Sequence, residues 1–311
     1  MRIYEIARRY ELTSKETIAI CHELGITVKA AQSAVKGDDL DKVLHYFEAG
    51  KDCAPTPVEV QPPQTKVSLQ PIKHVVYVTT ECQPFIEIGA LGKLAQDAIQ
   101  TLKDDGCDVT VFLPYSVQLE WNQPALEPQE TVRITFNHQT YEAQLYKIVQ
   151  KSVTYYMIKE NHYFTREHMY GYEDDINRFA FFNHAVLQLL PQYVSRAEKI
   201  YVNDWHTSLV PLLLHTTYKE PYYQALESTL IVHNLEFQGW FNAGVLEGII
   251  GISENYYTNG VTRMGSCVNL LKSGIVTAHH VQVTERAKAQ LEQYEMIACG
   301  ISGVVKEKLV G

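Results

Sequence analysis

No run of apolar residues approaches the length a membrane-spanning helix needs, and Met1-Arg2-Ile3-Tyr4-Glu5 lacks the charged-then-apolar shape of a signal peptide. The chain is therefore expected to work without a membrane. Its six cysteines (Cys21, Cys53, Cys82, Cys107, Cys267 and Cys299) are scattered and form no CxxC pair, which fits reduced thiols in a cytoplasm better than disulfides or zinc. A basic excess is also lacking. The 27 Lys and Arg stand against 36 Asp and Glu, a net charge of −9, so non-specific nucleic-acid binding is not indicated. The absence of a GxSxG elbow argues against a Ser-His-Asp hydrolase, and the absence of a Walker loop argues against NTP hydrolysis. His206 and His233 have no local partner at metal-ligand spacing, while the adjacent His279 and His280 point apart on a strand. No metal and no cofactor are expected.

What is present is ample core. With 311 residues, 46% of them hydrophobic, the chain can hold one large domain or a large one plus a small one. Residues 1–50 read as the small unit. Ile3, Ile6, Ala7 and Tyr10 share a helical face. Thr13 or Ser14 can cap a second helix that Gly25 stops, and Asp38 or Asp39 can open a third through Val43, Leu44 and Phe47. Three short helices make a thin core. Residues 51–70 carry four prolines and little apolar periodicity, the composition of a semi-extended linker.

From Ile72 onward strand-like and helix-like segments alternate. Val75–Val78, Val109–Leu113, Tyr141–Tyr146, Val153–Ile158, Lys199–Val202, Ser228–Val232 and His280–Thr284 have strand composition. Helices are expected over Leu91–Leu102, Arg178–Leu190 with Pro191 as its stop, Leu209–Tyr218 and Val268–Ala278. Such alternation predicts an α/β fold with a doubly wound, mainly parallel sheet over residues 71–311. In that architecture ligands sit beyond the carboxyl ends of the strands, so the polar residues that follow strands carry the functional argument.

Three strand ends stand out. After Val75–Val78 comes a loop with Gly89 and Gly92, a spacing that suits a plain strand-loop-helix turn and a ligand-binding loop equally. After Tyr201-Val202 comes Asn203-Asp204-Trp205-His206. After Leu230–Val232 comes His233-Asn234-Leu235, leading to Gln238-Gly239-Trp240. Taken one at a time, Trp205 suits a core position, Asp204 a helix cap and His233 a backbone contact. Taken together, an Asp, two His and two Trp at neighbouring strand ends suit a sugar, which asks for both hydrogen bonds and aromatic faces.

The longer motifs carry a resemblance. ECQPFIEIGALGKLA, MYGYEDDINRFAFFNHAVLQLLP, NDWHTSLVP, IVHNLEFQGWF and VNLLKSGIVTAHHVQVT resemble, in order and spacing, bacterial glycogen synthases and plant starch synthases, over residues 72 to about 303. The resemblance implies one Rossmann-like half, the acceptor-side domain, of a GT-B glycosyltransferase. Those enzymes move glucose from ADP-glucose or UDP-glucose to an α-1,4-glucan and need no metal. By that resemblance Gly89 and Gly92 match the glycine loop facing the donor. Asp204 and His233 match the Asp-Trp-His and His-Asn-Leu positions of the sugar cleft. Trp205, His206 and Asn234 lie beside them, and Tyr170 to Asp175 and Gln238-Gly239 match the cleft edge.

Departures from the pattern matter. Glu87 stands where the family holds a lysine that meets donor phosphate, Ala90 replaces the second loop glycine, and Lys93 the aspartate after Leu-Gly. The Ser-Pro-x-Tyr segment reads Thr284-Glu285-Arg286-Ala287, and His-Ala-His reads Tyr201-Val202-Asn203. The family's C-terminal domain, with the Arg/Lys pair that steadies the leaving diphosphate, would follow Gly311. A unit charge near 4 Å at an effective dielectric of 20 is worth about 4 kcal/mol, so a Lys-to-Glu reversal costs several powers of ten. The expectation is a degenerate, non-catalytic half that binds α-glucan or a protein partner. The alternative is a transferase half, with a nucleotide sugar as donor, completed by a separate C-terminal domain.

RIYEIARRYELTSKE and HELGITVKA resemble the N-terminal module of bacterial translation initiation factor two, which implies a small helical adaptor or a ribosome- or RNA-linked one. Seven Lys and Arg against eight Asp and Glu in residues 1–50 favour protein contact over RNA.

Overall fold

The computed structural model describes residues 1–10, 14–28, 30, 32–52, 74–123, 125–293 and 301–310. The chain divides into two compact units, Met1–Ser68 and Leu69–Gly311. Thr13, Cys53, Cys299 and nearly all of the proline-bearing stretch 51–70 lie outside the described residues.

In the first unit helices span Ile3–Arg9, Ser14–Glu23 and Asp38–Asp52. Gly25 ends the second by taking φ +74, which lets the Ile26 N–H return to the Cys21 carbonyl. Ile3, Ile6, Cys21, Ile26, Val28, Val35 and Val43 form the small core.

The second unit is built on an eight-stranded sheet. Its strands in chain order are β1 (His74–Val78), β2 (Asp108–Pro114), β3 (Glu130–Phe136), β4 (Gln139–Gln150), β5 (Val153–Lys159), β6 (Lys199–Asn203) and β7 (Glu227–Val232). Three short strands follow, β8 (Trp240–Phe241), β9 (Arg263–Met264) and β10 (Cys267–Asn269), and then β11 (His280–Val283). The order across the large sheet is β11-β7-β6-β1-β2-β5-β4-β3, and β8, β10 and β9 form a separate small sheet. Every pair from β11 to β5 is parallel, while β5-β4 and β4-β3 are antiparallel. The sheet is therefore doubly wound and mainly parallel. From β1 the chain moves outward one way through β2 and returns on the other side at β6, which makes the β1/β6 boundary the switch point where a crevice opens.

Local chemistry explains both the agreements and the differences. Val75 to Val78 are buried, as strands covered on both faces require. β3 was not expected from the sequence, although Val132, Ile134 and Phe136 alternate inward. Asn137 and His138, then Lys151 and Ser152, take positive φ in two-residue turns that fold β3, β4 and β5 into hairpins. Pro191 does not stop its helix, which runs Asp175–Tyr193. A proline at that position cannot donate to the Leu187 carbonyl four residues back, and the Tyr223 hydroxyl does so instead at 2.8 Å. The expected helix from Val268 begins only at Leu270, because Cys267–Asn269 pairs in the small sheet and the Asn269 side chain caps the helix at the Lys272 N–H.

Candidate functional site

β1 is followed by Thr79-Thr80-Glu81, and Glu81 is a buried carboxylate. One of its oxygens accepts the Ile88 and Gly89 N–H groups, each at 2.8 Å, and the other accepts the Tyr170 hydroxyl at 2.8 Å. The glycine loop is thus pinned to the strand end by an internal anion. Gly89 opens the Ala90–Asp104 helix without a side-chain cap. Gly92 serves close packing: a Cβ there would sit 2.9 Å from the Ile86 carbonyl oxygen.

β6 ends in Asn203, whose amide donates to the Val78 carbonyl at 3.0 Å. Its oxygen therefore accepts, taking the Tyr77 hydroxyl at 3.0 Å and His233 Nε2 at 2.8 Å. That fixes the histidine tautomer. Nε2 carries the proton, and Nδ1 is a bare acceptor, buried and without a hydrogen-bond partner among the described residues. Burial holds the ring neutral by lowering its pKa to about 4.

Asp204 follows in a left-handed conformation, φ +50, outside the hairpin turns that hold the other such non-glycine residues. Its Oδ1 accepts the backbone N–H groups of His233 at 2.8 Å and Asn234 at 3.2 Å, which ties the end of β6 to the end of β7. No partner among the described residues takes its Oδ2. Burial raises the carboxyl pKa to about 7; the two N–H groups and Arg286 pull it back, and Glu81 pushes it further up. His206 stands between Trp205, Tyr170 and Phe179, with ring centroids 4.2, 4.7 and 4.7 Å away. Its pKa falls to about 3, first through burial and then through Arg178.

These groups share one cleft of about 720 Å³ at the switch point. Gly89, Tyr170, Asp204, Trp205, His206, His233 and Asn234, all singled out in the sequence, line it. Others singled out do not. Gln238 is buried and bonds to the Leu235 carbonyl and the Asn269 amide. Gly239, at φ +67, backs the Trp205 ring so closely that a Cβ would stand 2.7 Å from it. Gly92 and the exposed Trp240 are likewise absent from the lining. Glu87 is exposed, accepts the Gln83 amide and sits outside the cleft. At a dielectric near that of water a charge at 4 Å is worth only about 1 kcal/mol, so its reversal weighs less than the sequence suggested.

Sequence reasoning missed several lining groups, among them Glu81 as an acceptor, Phe237, which is 65% exposed, and Arg286. Glu81 had a readable signal, a carboxylate three residues past the end of a buried strand. Among the described residues no group of three His, Cys, Asp or Glu side chains could hold a metal ion. A carboxylate oxygen, a neutral histidine acceptor and aromatic walls in one crevice suit a polyhydroxylated ligand.

The family pattern of the starch synthase catalytic domain matches residues 74–307. The chain belongs to this family. Similar relatives include the glycogen synthase of Bacillus cytotoxicus, 29% identical over 236 residues, and that of Streptococcus pneumoniae strain Hungary19A-6, 31% identical over 236 residues. Each alignment covers 75% of this chain and 49% of the relative, so the chain spans about half the length of these curated relatives. The catalytic domain of starch synthase IV from Arabidopsis thaliana, solved bound to ADP and acarbose, superposes with a TM-score of 0.69 at 24% identity. That likeness covers 77% of this chain and 50% of that one, and it establishes the fold. The chain thus has the fold of a Rossmann-like half, and no helix among its described residues is long and apolar enough to cross a membrane.

Proposed function

We propose that this starch synthase-type domain binds a glucosyl end of an α-glucan in the switch-point cleft and does not by itself transfer glucose. The observation that carries the reading is Asp204. A buried carboxylate held at positive φ by two backbone N–H groups, with Oδ2 left over, is costly to build. A sugar hydroxyl satisfies that oxygen. The glycogen synthase relatives and the ADP- and acarbose-bound structural neighbour support a saccharide as ligand. Against unaided transfer stand Lys93 paired at 2.7 Å with Asp97 and the two loop N–H groups already taken by Glu81.

Isothermal titration with maltoheptaose tests the binding half, and incorporation of label from ADP-glucose into glycogen tests the other. Heat of binding without incorporation is the expected result. No heat removes the glucan reading, and glycogen lengthened by this chain alone removes the non-catalytic one.

A second reading has its own support. Ile88, Leu94 and Phe237 are exposed apolar side chains along the same cleft. They suit a separate transferase domain that would close the cleft and complete it. Incorporation that appears only when such a domain is added would favour it.

We further infer that residues 1–50 act as an adaptor of the initiation-factor-two type, binding protein rather than RNA, in a cytoplasmic setting. Their near-balanced charge supports protein contact. Ribosome co-sedimentation of the full chain and of residues 69–311 is expected to be equally absent. Co-sedimentation lost on truncation would instead support a ribosome-linked role.

A further inference from the structure

We propose that the protein holds a second binding site, for a small phosphate-type oxyanion, in the pocket bounded by His215, Lys219, Gln224 and His279. The site lies at the amino ends of β7 and β11, across the sheet from the switch-point cleft, and the inference goes beyond the glucan reading without resting on it.

The chain carries a net charge of −9, yet none of the residues that line this pocket is Asp or Glu. Three basic side chains meet there instead, and each keeps a donor or a proton site to spare. The Lys219 ammonium donates to the Leu214 and His215 carbonyls at the end of the Leu209–Thr216 helix, which fixes its place and leaves one of its three N–H groups. His279 Nδ1 accepts the Ser228 backbone N–H at 3.0 Å, so the neutral ring carries its proton on Nε2. No partner among the described residues takes that proton. Neither ring nitrogen of His215 is hydrogen-bonded among the described residues; its ring meets only that of Tyr256, with centroids 6.2 Å apart.

The electrostatics point the same way. Burial lowers the His215 pKa first, and Lys219, His279 and Lys308 each lower it further, with no carboxylate offsetting them. Positive charge therefore converges on one imidazole from its own loop, from the turn before β11 and from the Ile301–Val310 helix. Burial also lowers the His279 pKa; Glu227 raises it, and His280 and Lys308 lower it. Glu227 is itself shared with His280 at 3.7 Å and Lys199 at 4.0 Å. A bound anion relieves this mutual repulsion. The pocket holds about 230 Å³, below the roughly 300–1,000 Å³ of sites for drug-sized ligands, which suits a compact anion rather than an oligosaccharide.

The test is calorimetric titration of the full chain with sulfate, inorganic phosphate and glycerol 2-phosphate, at an ionic strength held constant with sodium chloride. Sulfate keeps both charges from pH 5 to pH 8, so its pH dependence reports on the protein. Saturable sulfate binding is expected, tighter at pH 5 because His215 then gains its proton. Lys219→Gln is expected to weaken it about fivefold, the worth of one charge near 4 Å in water-like surroundings, and Lys219→Arg to restore it. His215→Gln is expected to abolish the pH dependence. His279→Asn, whose amide oxygen can still take the Ser228 N–H, is expected to weaken binding at both pH values. All three side chains are exposed, so these changes spare the fold. Binding unchanged in Lys219→Gln and His279→Asn, a pH dependence that persists in His215→Gln, or heats that sodium chloride alone reproduces would each overturn the inference. Glycerol 2-phosphate binding more tightly than inorganic phosphate makes the occupant a phosphate ester and equal affinity makes it free phosphate; both support the site. Maltoheptaose affinity is expected to be the same in every variant, so a failure of the glucan reading leaves this test standing.

Discussion

Asp204→Asn is expected to cut maltoheptaose affinity about tenfold to a hundredfold and, above pH 7, to make the protein more stable. Both effects come from one carboxylate. Asparagine tolerates the left-handed backbone at φ +50, and its amide oxygen can keep the His233 and Asn234 N–H bonds. That orientation turns the group facing the ligand from a charged acceptor into a donor, and a hydrogen bond to a charged group is worth about 1.5–3 kcal/mol. The stability effect follows from the raised pKa. Burial brings the folded carboxyl to about 7, against about 3.9 in an unfolded chain, so between those values the folded state holds the proton and the unfolded state does not. Stability from this group is complete below about pH 4 and is lost as pH rises through about 7, roughly 4 kcal/mol at most. Urea unfolding at pH 5 and pH 8 reads it directly: the wild type should weaken relative to Asp204→Asn on going to pH 8. Affinity for maltoheptaose should move the other way in the wild type, rising as Asp204 ionises. Parallel pH profiles for the two proteins would sink the assignment of Asp204 as a buried functional acid.

Arg178→Ala is expected to cost about 3–5 kcal/mol and to lower the melting temperature by about 10 °C. Arg178 is 1% exposed, yet it answers three acceptors: the Tyr163 carbonyl at 2.9 Å, the Met169 carbonyl at 2.8 Å and the Asp175 carboxylate. Its guanidinium also lies 4.8 Å from the Tyr172 ring centroid. Removing it strands a carboxylate and two carbonyls, which is why the cost exceeds that of losing side-chain volume. The segment it clamps carries Tyr170, whose hydroxyl meets Glu81, so glucan affinity should fall alongside stability. A second clamp, the two-pronged Arg166–Asp174 pair at 2.6 and 2.7 Å, is less buried and should matter less. Arg178→Lys should rescue little, because an ammonium cannot reach three acceptors set out for a planar fork. A loss below about 1 kcal/mol in Arg178→Ala would show that the clamp is dispensable.

The buried strands β1, β2, β5, β6 and β7 were legible because a strand covered on both faces needs a run of apolar side chains, whatever its neighbours. β3 was not, since its inward Val132, Ile134 and Phe136 are interleaved with polar residues and only the Asn137-His138 turn commits them to a hairpin. Pro191 misled for a similar reason. Whether a proline ends a helix depends on who serves the abandoned carbonyl, and Tyr223 comes from 36 residues away. The sequence by itself determined the alternation of elements, the family motifs and the three polar strand ends, all of which are local chemistry. That those ends meet was decided by strand order, which sets β7, β6 and β1 side by side and adds β11 with Arg286 at the edge. The tautomer of His233 and the exposure that weakens Glu87 were decided there too, because burial and partnership are properties of packed neighbours rather than of residue types.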